Sequence, residues 1–169
     1  MPIGIIKILL WLFVLNLGIG LGAGLYESRI QVPQWLVQVE PGRYRWDRAA
    51  AVASNVGLRF WAFVTTGPLT LLTLATLGAL WWAPPAVRTW WLAAALIVLC
   101  ERAMTFGYFI PTMIRLMSEG AYSQPEAVAK ALTWAKAGYL RHALNLFGLL
   151  AAMKAFSLLY GGQGAVGAR

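Results

Sequence analysis

The sequence predicts an all-α fold: an integral membrane four-helix bundle, up-down-up-down, with a long interfacial loop between helices 1 and 2. Three observations predict it. Of 169 residues, 60% are hydrophobic and only 12% charged, where a soluble domain carries about a quarter charged residues. The apolar residues gather into four runs, each long enough to cross about 30 Å of hydrocarbon at about 1.5 Å per residue. The breaks between runs carry the aromatic, proline and charged residues expected at a membrane edge. The length suits one domain.

The first run covers about 2–26. Lys7 followed by apolar residues resembles a signal peptide. The run is too long for one, however, and no clean small-x-small cleavage site precedes the polar loop. Residues 27 to about 55 form the longest polar connection, punctuated by Pro33 and Pro41-Gly42. Its Trp35, Tyr44 and Trp46 suit the lipid–water interface, and 46–56 fits a short helix leading into the second run. That run, about 56–82, is threaded by Thr65, Thr66, Thr70, Thr73 and Thr76. Threonine is tolerated in lipid because its hydroxyl returns to a backbone carbonyl. Pro68 should kink this helix. A tight turn with Trp81, Trp82, Pro84 and Pro85 leads into the third run, about 88–117, which Pro111 should bend. Ser123-x-x-Glu126 reads as a capping box ahead of the fourth run, about 127–160. Residues 161–169 read as a frayed tail.

The net charge of +8 is scattered. Arg43, Arg45 and Arg48 are its densest group, with Glu40 and Asp47 among them. That is not the basic stripe of a nucleic-acid reader, so the expected partner is the lipid bilayer, without nucleic acid. Lys and Arg are more numerous in the connections after the first and third runs, which would place those connections in the cytoplasm. Cys100 is the single cysteine, so no internal disulfide forms, and its apolar setting suggests a packed thiol. No nucleotide-binding glycine loop, HExxH or GxSxG is present. Gly18, Gly20, Gly22 and Gly24 lie inside a lipid-spanning run and read as helix packing.

The functional signal is the set of polar residues within these runs. A charge at the middle of a spanning helix costs about 2.5–3.5 kcal/mol on insertion scales, so it is normally partnered and often functional. Glu101, Thr105, Tyr108, Thr112 and Arg115 recur at spacings of four and three, which puts them on one helical face, with Arg102 one residue off. Up-down-up-down order brings the end of helix 1, the start of 2, the end of 3 and the start of 4 to one side. Glu27, Asn55, Arg59, Glu101, Arg102, Arg141, His142 and Asn145 then converge. Glu101 would pair with Arg102 or Arg141. Glu101, His142 and Glu27 are the candidate catalytic groups. Arg59, Arg102, Tyr108, Arg141, Asn145, Asn55 and Trp134 are candidates for substrate binding. Trp61, Phe106, Tyr108, Phe109 and Trp134 would form the walls. A metal would need His142, Glu27 and Glu101 together, a weak spacing signal, and no metal or named cofactor is assigned.

Several stretches also carry a resemblance. They are Gly22-Ala-Gly-Leu-Tyr-Glu27 with Val32-Pro33-x-Trp35, Asn55-x-Gly57-Leu58-Arg59-Phe60-Trp61, Glu101-Arg102-x-x-Thr105-Phe106-x-Tyr108-Phe109-Ile110-Pro111-Thr112, and Trp134 with Arg141-His142. Together they resemble the anthrone-oxygenase-like family of small four-helix membrane proteins. The resemblance implies a four-helix fold and a bacterial inner (plasma) membrane location. For the fungal members it implies oxygen insertion into polyketide anthrones without a conventional cofactor, relying on histidine and acidic side chains. Only His142, Glu27 and Glu101 can fill such roles here.

Three functions are expected from this pattern. The first is an enzyme or binding protein for a lipophilic aromatic, anthrone- or quinone-like substrate. In it Glu101 or His142 abstracts a proton and an arginine stabilises the anion. The second is an accessory or structural subunit of a larger membrane complex, or a homo-oligomer. The third is a proton or small-solute transporter.

Overall fold

The structure is a computed structural model that describes residues 2–164 and is mostly helical. The chain runs through α1 (Ile3–Trp35), the strands β1 (Leu36–Glu40) and β2 (Arg43–Trp46), and α2 (Arg48–Ser54). It continues through α3 (Gly57–Trp82), α4 (Pro85–Met117) and α5 (Gln124–Gly164). The four long helices are each long and apolar enough to cross a membrane. α5 packs on α1 and α4, and α3 packs on the same two.

Two clusters hold these helices together. In the first, Ile6, Leu10, Phe13 and Leu17 of α1 are buried, at the four-and-three spacing that makes one helical stripe. They meet the C-terminal ends of α3 and α5 and the first turns of α4. Small residues set the distance between helices here. A Cβ on Gly148 would lie 2.9 Å from Cγ2 of Val98, so α5 rests closer to α4 than an alanine would allow. The second cluster lies at the other end, where Trp35, Leu36 and Trp46 pack on Leu116, Ala131 and Trp134.

Residues 27–55 differ from the expected loop. The helix does not stop at Tyr26 but continues through a π turn, Glu27–Gln31, to Trp35. Pro33 does not end it, because a proline near the start of a new helical segment needs no N–H partner. An antiparallel hairpin follows, pairing Leu36 with Trp46. Pro41 supplies the fixed φ of the turn, and Gly42, at φ +78°, supplies the left-handed position. The Trp46 indole N–H donates to the Leu116 carbonyl at 3.0 Å, and Gln124 donates to the Trp46 carbonyl at 3.0 Å. The hairpin is thereby fastened over the ends of α4 and α5. Asp47 caps α2 by accepting from the Ala50 N–H at 2.9 Å.

Two more π turns occur, Gly57–Thr66 in α3 and Thr105–Phe109 in α4. Each of the three ends two residues before a proline: Pro33, Pro68 or Pro111. Proline removes an N–H and its ring crowds the carbonyl four residues back, and a widened turn upstream relieves that crowding. In this widened turn the Gly67 N–H reaches back five residues to the Ala62 carbonyl, and the Val64 carbonyl is met from α1. Asn16 of α1 donates to it at 2.8 Å.

The capping box is formed at Ser123, whose N–H and hydroxyl both reach the Glu126 carboxylate, at 2.9 and 2.7 Å. α5 runs to Gly164, and residues 165–169 of the expected tail lie outside the described residues. One expectation is corrected. Cys100 is exposed rather than packed, because it sits on the outward face of α4.

Asn16→Leu should lower thermal stability in detergent by about 0.6–2 kcal/mol through loss of its hydrogen bond to the Val64 carbonyl. Thermal unfolding of the variant checks this, and an unchanged midpoint would contradict it.

Candidate functional site

A cavity of about 290 Å³ lies between the aliphatic cluster and the hairpin. All three π turns reach it: Glu27, Trp61, Thr65, Thr105 and Phe109 on its wall come from them. A π turn holds more residues per turn than an α turn, so it widens the helix and rotates everything beyond it.

Two carboxylates face this space, each in its own set of donors. Glu101 is 2% exposed. Arg102 reaches one of its oxygens with Nε at 2.6 Å and forms an ion pair with Nη2. Thr105 donates to the other oxygen at 2.9 Å. Of the two arginines expected as partners for Glu101, the adjacent Arg102 is the one used. Glu27 takes the other. Arg141 donates to its Oε2 at 3.2 Å, and the Trp61 indole N–H to its Oε1 at 2.8 Å.

Arg141 also lies over three rings, with 4.5 Å to the Phe109 centroid, 5.6 Å to Trp61 and 6.0 Å to Trp134. The cage is braced, since the Trp134 indole donates to the Phe109 carbonyl at 3.1 Å. A guanidinium held by a carboxylate and aromatic faces is stabilised away from water by charge pairing and by the ring quadrupoles together.

His142 and Asn145, three residues apart on α5, sit against the glycines of α1. A Cβ on Gly24 would lie 2.6 Å from Cε1 of His142, and one on Gly20 would lie 3.1 Å from Nδ2 of Asn145. The Gly20-xxx-Gly24 pair therefore makes room for polar side chains rather than for a second backbone. The imidazole Nε2 shares a 2.8 Å hydrogen bond with the Ser28 hydroxyl, which fixes the ring.

The cavity brings together Glu27, Glu101, Arg102, Arg141, His142 and Asn145, with Asn55 and Trp134 also on its wall. Asn55 reaches it from a left-handed backbone position, φ 41°, at the C-terminus of α2. Three expected residues, Arg59, Tyr108 and Phe106, are not there. Arg59 is exposed, because the π turn of α3 gives the inward positions to Trp61 and Thr65. Tyr108 is half-buried beside Phe109, ring centroids 5.3 Å apart, and its hydroxyl has no hydrogen-bond partner. The π turn after Thr105 advances the inward position by one residue, from Tyr108 to Phe109. Phe106 is exposed for the same reason, and so is Arg115. Ser28 was not anticipated, nor were Trp61 and Thr105 as donors to the carboxylates. The prolines two residues beyond each π turn are the sequence feature that marks the change of phase.

Among the described residues, no three histidine, cysteine, aspartate or glutamate side chains gather in a way that could hold a metal ion. The carboxylates are instead satisfied by arginine, threonine and tryptophan. Comparison with protein-family models, curated proteins and solved structures finds no match to this chain.

Gly24→Ala should push the imidazole off its seat and cost about 1–3 kcal/mol. Gly22→Ala, whose Cβ would meet nothing within 4 Å, should be neutral or slightly stabilising. Thermal unfolding in detergent checks the pair, and equal effects would contradict the packing of His142 on Gly24.

Proposed function

We propose that this chain is an integral membrane four-helix bundle, running up-down-up-down, that binds a lipophilic aromatic molecule in its internal cavity. The supporting observation is the cavity's composition. Trp35, Trp61, Phe109 and Trp134 give it aromatic walls, while Glu101, Arg102 and Asn145 give it a few convergent polar groups. Small-molecule sites have this character: apolar surfaces for affinity and sparse polar groups for orientation. The four apolar helices fit crossing of a lipid bilayer, and the resemblance noted above extends the reading to the plasma membrane of a bacterium.

The chemistry such a site is fitted for is removal of a proton from a phenolic O–H or an activated C–H. The proton passes to the Glu101 carboxylate, and the adjacent Arg102 guanidinium offsets the charge left on the substrate oxygen. Both carboxylates carry a donor on each oxygen, Arg102 and Thr105 on Glu101 and Arg141 and Trp61 on Glu27; Glu101 is favoured because Nη1 of the Arg102 beside it is unpartnered. His142 is held by Ser28 and Gly24 and positions the wall. The resemblance adds oxygen insertion without a conventional cofactor, in which molecular oxygen converts the ring CH2 of an anthrone-like substrate to C=O and its second atom leaves as water.

Transport is the weaker reading. In the far half of the bundle the inward residues of α1 are Ile6, Leu10, Phe13 and Leu17, which offer a transported ion no ligand. A role as an accessory subunit has no distinct surface feature to support it.

Organic extraction of the protein purified from its own membranes, followed by mass spectrometry, tests the proposal. An aromatic compound should accompany the native chain. Its conversion should fall by about a hundredfold or more in a Glu101→Gln, His142→Ala double variant. Undiminished turnover by that variant would contradict the assigned chemistry.

A further inference from the structure

The cavity's outline shows how a ligand gets in and how much of it fits. At its hairpin end the wall is closed by Trp35 and Ala51, both only 2% exposed. Between α3 and α4 the wall is different. Leu58 and Ala62 of α3 and Ile110 and Ile114 of α4 border the cavity, yet Leu58 is 66% and Ile114 55% exposed on the outer surface. These side chains belong both to the cavity rim and to the face that lipid would cover. A gap rimmed by apolar side chains opens toward hydrocarbon rather than water.

Inside, three lining residues carry a buried polar atom without a partner: Trp35 at Nε1, and the pair Arg102 and Asn145. Nη1 of Arg102 is a donor without an acceptor, and Oδ1 of Asn145 is an acceptor without a donor. Both residues are 7% exposed and line the cavity. A buried unsatisfied group of this kind costs about 1–3 kcal/mol, which a ligand oxygen able both to accept and to donate would recover. A hydroxyl on an aromatic ring does both and suits the tryptophan and phenylalanine walls. The volume, about 290 Å³, is at the lower limit of the range for small-molecule pockets, roughly 300–1,000 Å³. One substituted ring fits that space, and a long tail does not.

We infer that the cavity takes the head of a tailed phenol or quinol directly from the bilayer, through the gap between α3 and α4. The hydroxyl sits between Arg102 and Asn145, and the hydrocarbon tail stays in the gap, in contact with Leu58 and Ile114. This rests on the binding function proposed above and adds the ligand's shape, its polar contacts and its route.

The test uses the full chain in lipid nanodiscs with two probes, decyl-substituted benzoquinol and unsubstituted benzoquinol. Binding is read by equilibrium partition of labelled probe relative to empty discs. The decyl probe should bind the native protein at least about tenfold more tightly than the tail-free one once partition into lipid is subtracted. Asn145→Leu should weaken binding about tenfold, the loss expected for one buried hydrogen bond. Ala62→Phe and Ile114→Trp, which fill the rim from outside, should each slow association at least about tenfold. Circular dichroism and thermal melting of each variant confirm that it is folded. If the native protein binds neither probe, both this inference and the binding function are overturned. If it binds both probes equally, or if the two rim variants bind at the native rate, the route is overturned while the binding function stands. Unchanged affinity in folded Asn145→Leu overturns the placement of the hydroxyl.

Discussion

Burying two carboxylates among apolar helices is the constraint that organises this structure. An unpaired charge there is costly, so each carboxylate must bring its own donors. Glu101 draws on its own helix, using the next residue and the one a turn later. Glu27 cannot, and reaches across to Arg141 of α5 and Trp61 of α3. That second arrangement ties three long helices together at one depth. The aromatic cage around Arg141 follows from it, because a guanidinium removed from water is best accommodated by ring faces on the sides its carboxylate leaves open.

The π turns make this arrangement possible. Three of the four long helices carry one, all at the level of the cavity and all just ahead of a proline. Each widens its helix and turns a different residue inward. Where ideal helices would close their apolar faces on one another, these leave a space and direct Glu27, Trp61, Thr65, Thr105 and Phe109 into it. The hairpin over the end of α4 and α5 then closes the space from its polar side. The backbone irregularities and the buried charges thus depend on each other: the widened turns make room, and the ion pairs hold it.

Much of this could be read from the sequence. Hydropathy runs placed the long helices, and the positions of Glu27, Glu101, Arg102, Arg141, His142 and Asn145 within those runs were enough to expect that they share one space. What could not be read was helical phase. A stripe drawn at the α-helical period along the third run includes Tyr108 and Arg115, and the π turn at Thr105–Phe109 shifts both out of it. Arg59 fell to the same error in the second run. The hairpin was hidden for another reason. Its pairing depends on Leu36 and Trp46 finding a tertiary surface at Leu116 and Trp134, which local pattern does not disclose.

Polar residues against glycine are a further consequence of the same economy of space. Gly20 and Gly24 look like a helix-docking motif, yet the side chains of Asn145 and His142 occupy the room they leave. Small residues in membrane helices are usually read as sites of close backbone approach. Here they seat the polar side chains of a neighbouring helix at the cavity wall.

The central claim is that the acids, their arginines and the imidazole meet in one cavity below the lipid headgroups. A density map of the chain in a lipid nanodisc tests it most directly, because the edge of the disc gives the depth of each side chain. The predicted result is Glu27 joined to Arg141, and Glu101 to Arg102, both within the hydrocarbon layer and facing a shared space. Glu27 and Arg141 separated, or lying outside the hydrocarbon layer in contact with bulk water, would contradict it.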